Sequence, residues 1–219
     1  GGASPAACVS NNALHTYCGG TFRGIADRLD YITGMGVDAI WISPIVANTD
    51  YYGDATNTGY HGYWASDLDA VNAHFGAAAD LRALVTACHA KGVWVMLDVV
   101  ANHMGYDHDL GNLRPFTDAG DYHGCGAPCP SGCGIADFTD QPQVQLCRLA
   151  GLPDLNQTNA AVAATLERWV GAVVANYSFD GIRIDTVAEV NKPFWGRFNK
   201  ASGGFAVGEV DNGFIQRPK

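Results

Sequence analysis

Short apolar runs alternate along this chain with stretches in which apolar residues recur at helical spacing. Four runs are rich in β-branched residues and predict strands over 37–43, 93–99, 181–184 and 205–207. Near-continuous apolar runs of this kind are typical of strands that are buried on both faces of a parallel sheet. The pattern therefore predicts a sheet at the centre of an α/β fold.

Each of these runs follows a stretch with one apolar face. Thr21 can cap the first predicted helix, which ends near Gly34. A weaker fourth helix is predicted over 193–200. Repeated helix and strand units with short turns predict right-handed crossovers and parallel strands. The apolar stripes of the first three helices are Phe22, Ile25, Leu29 and Ile32; Leu81, Leu84, Val85 and Cys88; and Val162, Leu166, Trp169, Val170 and Val173.

Periodicity disappears between 103 and 154, where Gly, Asp, Pro and Cys dominate the sequence. This stretch is too long for a plain loop and predicts a small, disulfide-tied insertion. It would interrupt a main domain that consists of 1–102 and 155–219. Since four strands are half of the eight in a closed (β/α)8 barrel, they form either an open doubly wound sheet or part of a longer barrel.

The seven cysteines favour disulfides over a metal site. Cys8 and Cys18 bracket a short loop and are the natural local pair, whereas Cys88 lies on an apolar helix face and is expected to be a buried free thiol. A zinc site is the alternative for the other four, but a clean C-x2-C with a matched second pair is missing. Those four permit three disulfide connectivities: Cys125, Cys129, Cys133 and Cys147.

Charge and composition indicate which binding partners and which cellular compartment to expect. A net charge of −9 argues against nucleic acid, whose binding depends on clustered Lys and Arg. The chain has no apolar run of the about 20 residues that span a bilayer, so no membrane partner is expected. Triplets at Asn156-Gln157-Thr158 and Asn176-Tyr177-Ser178 match the N-glycosylation signal. Together with the cysteines, they predict a secreted protein, which we expect to be a monomer.

Three carboxylates stand at or near the ends of predicted strands: Asp98, Asp185 and Glu209. A charge at the end of a buried apolar run is costly unless it is paired or used. Because parallel strands bring their carboxyl ends to one edge, these residues predict a polar cleft where α/β enzymes keep their chemistry. His103 and Arg183 are close by in sequence. An ion network without chemistry is the alternative.

Five segments resemble, in the same order, motifs of the α-amylase family of glycoside hydrolases, and most nearly its secreted fungal members. They cover nearly the whole chain. The resemblance implies a partial (β/α)8 TIM barrel, about strands 2 to 5, with a small disulfide-tied domain B (103–154) inserted after the third barrel strand. The five segments are 61–64 (HGYW), 98–103 (DVVANH), 152–155 (LPDL), 181–187 (GIRIDTV) and 208–210 (GEV).

The family motifs imply catalytic roles for two carboxylates. By resemblance Asp185 is the nucleophile and Glu209 the acid/base of a retaining hydrolase that cleaves α-1,4-glucosidic bonds inside starch. Such an enzyme needs its carboxyl pair about 5–5.5 Å apart, and neighbouring strands, about 4.8 Å apart, supply that separation. Arg183 points to the same side as Asp185 because side chains alternate along a strand, and it is expected to keep Asp185 ionised.

The family also implies residues that bind starch or maltooligosaccharides. Tyr63 resembles the aromatic platform for a glucose ring, and Trp64 supports the cleft. His103 resembles the histidine that hydrogen-bonds the sugar beside the cleaved bond. Arg183 is expected to bind substrate together with these three residues.

A calcium ion is implied by the same resemblance. Calcium takes 6–8 oxygen ligands, among them carboxylates, amide oxygens and backbone carbonyls. The side chains of Asn102 and Asp154 and the carbonyls at Gln145 and Glu189 align with the family's protein ligands. These ligands would tie the barrel to both ends of the insertion.

The chain departs from the family pattern in ways that change expectations. Ala188-Glu189 stands where fungal relatives have Lys-His, so the sugar subsite on the leaving-group side should be altered. The first barrel strand and the family's third catalytic carboxylate have no counterpart within the 219 residues, which predicts a fragment of a longer enzyme. Two alternatives therefore stay open: an inactive or impaired starch-binding relative, and a transglycosylating or maltogenic member of the family.

Overall fold

The computed structural model describes residues 16–50 and 58–210. Within these ranges the α-helices are α1 (Phe22–Ala26), α2 (Leu29–Gly34), α3 (Ala78–Ala90), α4 (Gln141–Leu146), α5 (Ala160–Tyr177) and α6 (Lys192–Ser202). The strands are β1 (Ala39–Ile42), β2 (Val46–Asn48), β3 (Ala65–Val71), β4 (Trp94–Val99), β5 (Gly181–Ile184) and β6 (Phe205–Gly208).

Four strands form one parallel sheet in the order β1-β4-β5-β6. Asp98 is level with Arg183 across β4 and β5, and Ile184 is level with Gly208 across β5 and β6. The parallel order predicted from the apolar runs is confirmed. Because these strands end at one edge of the sheet, the residues that follow β5 and β6 are direct neighbours.

Helices α3, α5 and α6 supply the apolar faces that the sequence predicts. Their buried side chains form one core with those of the sheet strands. Leu84, Leu166 and Phe194 in the helices and Val95 and Ile182 in the strands are fully buried. The core fixes the strands rigidly, and this sets the positions of the polar residues at their carboxyl ends.

The first predicted helix is interrupted. Thr21 caps α1 as expected, because its Oγ1 accepts a hydrogen bond from the backbone N–H of Gly24 at 3.0 Å. The chain leaves helical geometry at Arg28 (φ −111°, ψ 9°), and α2 starts at Leu29. The break turns Leu29 into the core, where it is 2% exposed.

An antiparallel hairpin of β2 and β3 was missed by the sequence pattern. β2 has three residues, and in β3 the apolar residues are interrupted irregularly by Ser66, Asp67 and Asp69. The pairing is irregular, with register shifts on both sides of Ala47. The hairpin matters because the residues just before β3 belong to the predicted site.

The insertion between β4 and α5 contains one short α-helix, α4, and little other regular structure. Its cysteines pair as Cys125–Cys133 and Cys129–Cys147, which selects one of the three connectivities and makes the zinc alternative wrong. Cys88 is a buried free thiol, as predicted. Cys8 lies outside the described residues, so its pairing with Cys18 stays a prediction.

Removing the Cys129–Cys147 bond should lower stability more than removing Cys125–Cys133. The first closes a separation of 18 residues and the second one of 8. A loop of that longer size contributes about 3 kcal/mol by constraining the unfolded chain. We expect the pair C129S/C147S to show the lower urea midpoint in the intact protein, with C125S/C133S as the matched control. Equal midpoints would contradict this.

In the parts of the chain that the structure describes, no helix combines the length and the apolar character needed to cross a membrane.

Candidate active site

A buried arginine organises the carboxyl edge of the sheet. Arg183 in β5 donates from Nη1 to both Asp98 oxygens at 3.0 Å and to Asp185 Oδ1 at 2.7 Å. Its Nη2 lies 3.0 Å from Glu209 Oε2. One guanidinium therefore contacts the three carboxylates that the sequence singles out. The side chains of Arg183, Asp98 and Asp185 are 10%, 0% and 11% exposed, whereas that of Glu209 is 45% exposed.

The backbone continues the sheet ladder through both predicted catalytic residues. The N–H of Asp185 donates to Val99 O at 3.0 Å, and the N–H of Glu209 donates to Ile184 O at 2.8 Å. The two carboxylates consequently stand side by side at adjacent strand ends. Neighbouring strands lie about 4.8 Å apart, close to the about 5–5.5 Å that separates the two carboxyl groups in retaining glycosidases.

Burial dominates the acidity of Asp185. Desolvation raises the pKa of Asp185 to about 7; Arg183 opposes this rise, and the neighbouring carboxylates Asp98 and Glu209 add to it. The prediction that Arg183 favours the ionised form is right in direction, but burial outweighs it. Burial likewise raises the pKa of Asp98, against the lowering effect of Arg183.

Asp98 anchors aromatic residues around the guanidinium. Tyr63 donates its hydroxyl to Asp98 Oδ2 at 2.9 Å, and Trp41 donates Nε1 to the same oxygen at 3.2 Å. The Trp41 ring lies 5.1 Å from the centre of the Arg183 guanidinium. Trp41 was not predicted from the sequence: it is level with Met96, two residues before Asp98, and reaches the site only through its long side chain.

The segment before β3 brings further predicted residues to this edge. His61 packs edge-on against Trp64, with ring centroids 4.6 Å apart, and its Nδ1 accepts from the N–H of Tyr63. The His103 Nε2 lies 3.1 Å from Tyr63 O. His103 is only 3% exposed, and burial lowers its pKa to about 4. The neutral imidazole thus contributes hydrogen bonds rather than charge.

Comparison of the sequence with known proteins identifies the family of this chain. A family model described as α-amylase, catalytic domain, matches residues 6–119. The chain is 43% identical over 208 residues to α-amylase 1 of Lipomyces kononenkoae, covering 90% of this chain and 32% of the relative. It is 40% identical over 223 residues to the α-amylase of Saccharomycopsis fibuligera, covering 97% and 43%. The chain belongs to the α-amylase family.

Solved structures of the α-amylase family carry the same fold. An α-amylase from Malbranchea cinnamomea matches with a TM-score of 0.84 at 41% identity, over 93% of this chain and 43% of that one. An α-amylase from Geobacillus thermoleovorans, complexed with acarbose, matches with a TM-score of 0.80 at 35% identity, over 96% and 44%. The predicted partial TIM barrel is confirmed. The chain spans about a third to two fifths of the length of these curated relatives.

The residues that the α-amylase resemblance assigns to calcium lie at the junction of barrel and insertion. Leu155 N donates to Asn102 O at 2.8 Å, and His103 forms an isolated bridge with Asp154, so the backbone holds Asn102 and Asp154 together. Burial raises the pKa of Asp154 to about 6, and its Oδ2 lies 2.7 Å from His123 Nδ1.

Helix α4 connects the insertion to the turn after β5. Gln141 donates from Nε2 to Ala188 O at 3.2 Å, and Gln145 donates to Val190 O at 3.5 Å. These contacts bracket Glu189, which is 8% exposed. The side chains of Gln141 and Gln145 therefore hold α4 against the backbone on both sides of Glu189.

Proposed function

We propose that this chain carries the nucleophile and the acid/base of a retaining enzyme that hydrolyses internal α-1,4-glucosidic bonds in starch and related glucans. One observation supports this most directly: Asp185 and Glu209 stand at adjacent strand ends and contact one guanidinium, that of Arg183.

The proposed reaction consists of two displacements at the anomeric carbon. Asp185 attacks the anomeric carbon while Glu209 donates its proton to the leaving glucosidic oxygen, giving a covalent glycosyl intermediate. Glu209, now ionised, removes a proton from water, which attacks the same carbon and releases Asp185. Arg183 stabilises the ionised form of Asp185 inside a buried site. Tyr63 provides aromatic surface for the sugar ring, Trp64 supports the cleft, and His103 supports Tyr63 through its backbone carbonyl.

Retention of configuration tests the proposed reaction class. The intact protein should release maltooligosaccharides from soluble starch whose first-formed reducing ends are α-anomers, because two inversions restore the starting geometry. Proton NMR within the first turnovers, before mutarotation, reads the anomer directly. First-formed β-anomers would contradict the proposal.

Transglycosylation is a second candidate activity, and one observation favours it. Ala188-Glu189 replaces the Lys-His pair of fungal relatives beside the leaving-group side of the cleft, so the competition between water and a sugar acceptor can differ there. Product analysis with starch alone and with added maltose separates the two activities. Longer products that form only with maltose would assign transglycosylation.

The residues present fit the calcium ion that the family implies. Asn102 Oδ1 is buried and has no hydrogen-bond partner, as expected of an oxygen reserved for a cation. No cluster of three or more His, Cys, Asp or Glu side chains exists in the described residues, so Asn102, Asp154 and the carbonyls at Gln145 and Glu189 suit an oxygen-seeking ion rather than zinc. Calcium bound there would join insertion and barrel and offset the cost of ionising Asp154.

Calcium should stabilise the protein through these ligands. Removal by a chelator should lower the thermal midpoint of the intact protein, and the free energy of unfolding should fall by about 4 kcal/mol relative to calcium at a thousand times its Kd. Asp154→Asn should lose the calcium-dependent part of that midpoint, and magnesium should not restore it. Identical midpoints with calcium and with chelator would contradict the assignment.

The disulfides of the insertion indicate the compartment. Two disulfides in the insertion are typical of secreted proteins, so we propose an extracellular location. Asn176 is exposed at the end of α5, which makes its triplet an accessible glycosylation signal. Residues 103–154 are proposed as domain B, and 1–102 with 155–219 as the barrel part. We propose a monomer that binds starch or maltooligosaccharides.

A further inference from the structure

Thr186, the residue after the proposed nucleophile, has an unusual backbone. Its φ and ψ are 52° and 49°, in the left-handed region. Among the described residues it is the only β-branched one with a positive φ. Such a conformation costs of order 1–3 kcal/mol and persists only where surrounding contacts impose it.

The strained backbone directs one hydrogen-bond donor at the proposed acid/base. The N–H of Thr186 donates to Glu209 Oε2 at 3.2 Å. Arg183 Nη2 lies 3.0 Å from the same oxygen. With two donors on Oε2, the acidic proton belongs on Oε1, which is then the oxygen that faces a leaving group. These two contacts hold the Glu209 side chain in one orientation.

Neighbouring contacts hold the turn in place from three directions. The N–H of Val187 donates to Glu209 O at 3.1 Å, which ties the turn to the end of β6. Trp195 of α6 donates from Nε1 to Val187 O at 2.9 Å. Gln141 of the insertion donates to Ala188 O at 3.2 Å. Val187 also packs directly on Gly208, where an added Cβ would lie 2.7 Å from Val187 Cγ2.

We propose that Thr186 is a positioning residue for the general acid: its strained turn, held by Gln141 and Trp195, points a backbone N–H at Glu209 Oε2 and so keeps the acidic proton on Oε1. This inference rests on the proposed hydrolase function and deepens it. It also gives the insertion a part in the chemistry, because Gln141 belongs to α4. The insertion thereby acts on proton donation without touching the reacting atoms.

Dependence on the leaving group distinguishes this role from a merely structural one. A general acid matters most when the leaving oxygen is strongly basic, and matters little for an acidic phenol. A turn that no longer holds Glu209 should therefore slow poor leaving groups selectively. Loss of folded protein would instead slow all substrates by the same factor.

The test compares Gln141→Ala and Trp195→Phe with the parent in the intact protein, using phenyl, 4-nitrophenyl and 2,4-dinitrophenyl α-maltotriosides. Each variant should lose about 3- to 10-fold in kcat/KM on the phenyl substrate, the effect of one hydrogen bond. The loss on the dinitrophenyl substrate should be less than about twofold, since little proton donation is needed there. The plot of log kcat/KM against leaving-group acidity thus becomes steeper.

Gln143→Ala is the matched control. Gln143 lies on the same helix but bonds within the insertion, to the N–H groups of Ala136 and Asp137 and to Asp140. The plot of log kcat/KM against leaving-group acidity should have the same slope for Gln143→Ala as for the parent. An active parent whose Gln141→Ala variant loses equally on all three substrates, or not at all, would overturn the inference alone. A parent that cleaves none of them would overturn the proposed function as well. Because Gln141 is exposed, its variant should fold even if Trp195→Phe does not.

Discussion

Asp185→Asn should reduce kcat/KM on starch by about 10⁴-fold or more, the scale of losing a catalytic nucleophile. The amide keeps the size and the hydrogen-bonding reach of the side chain but cannot attack the anomeric carbon. Arg183 and Asp98 remain in place, so binding should change far less than turnover. A variant that retains a tenth or more of the parent activity would remove Asp185 from the nucleophile role.

The stability of the same variant provides the control for folding. The pKa of Asp185 is about 7 in the folded protein and about 4 in an unfolded chain. As the pH rises from 4 to 7 the unfolded chain ionises first, so this residue progressively destabilises the fold, and the penalty is complete above pH 7. Asp185→Asn removes it. The variant should therefore unfold at a higher temperature than the parent at pH 7.5 and show little gain at pH 4.

Glu209→Gln is the second large effect, with an expected loss of about 10²- to 10⁴-fold on starch, because proton donation to the leaving oxygen disappears. The loss should shrink sharply on the 2,4-dinitrophenyl substrate, whose leaving group needs little assistance. Asp185→Asn should show no such relief, since the nucleophile is needed for every substrate. The contrast between the two variants separates their roles.

Azide strengthens the test of Glu209. With the base missing, azide needs no deprotonation and should attack the glycosyl intermediate of Glu209→Gln. The product should be an α-maltotriosyl azide, because the second displacement restores the configuration. A β-azide, or no rescue on the activated substrate, would contradict the assignment of Glu209.

Much of the fold was predictable because its signals are local. The four sheet strands were predicted from apolar runs. The capping residue Thr21 predicted the start of α1, and the apolar stripe predicted α5. The hairpin of β2 and β3 was not, since its strands are short, irregular and interrupted by acidic residues. The break before Leu29 also escaped the pattern, because both short helices keep the same apolar face.

The site was only partly readable from sequence. Strand-end position identified Asp98, Asp185 and Glu209, and alternation placed Arg183 beside them. The contacts of Trp41 with Asp98 and of Gln141 with Ala188 join residues that are 57 and 47 positions apart, which no local pattern encodes. The left-handed backbone of Thr186 had no signal either, since a β-branched residue argues against that conformation.

Trapping the covalent intermediate tests the central claim most directly. The intact protein is incubated with a slowly turned-over fluorinated maltosyl fluoride, digested and analysed by mass spectrometry. The label should be found on the peptide that contains Asp185, and it should be absent from Asp185→Asn. A label on another residue, or none from a protein that hydrolyses starch, would contradict the account.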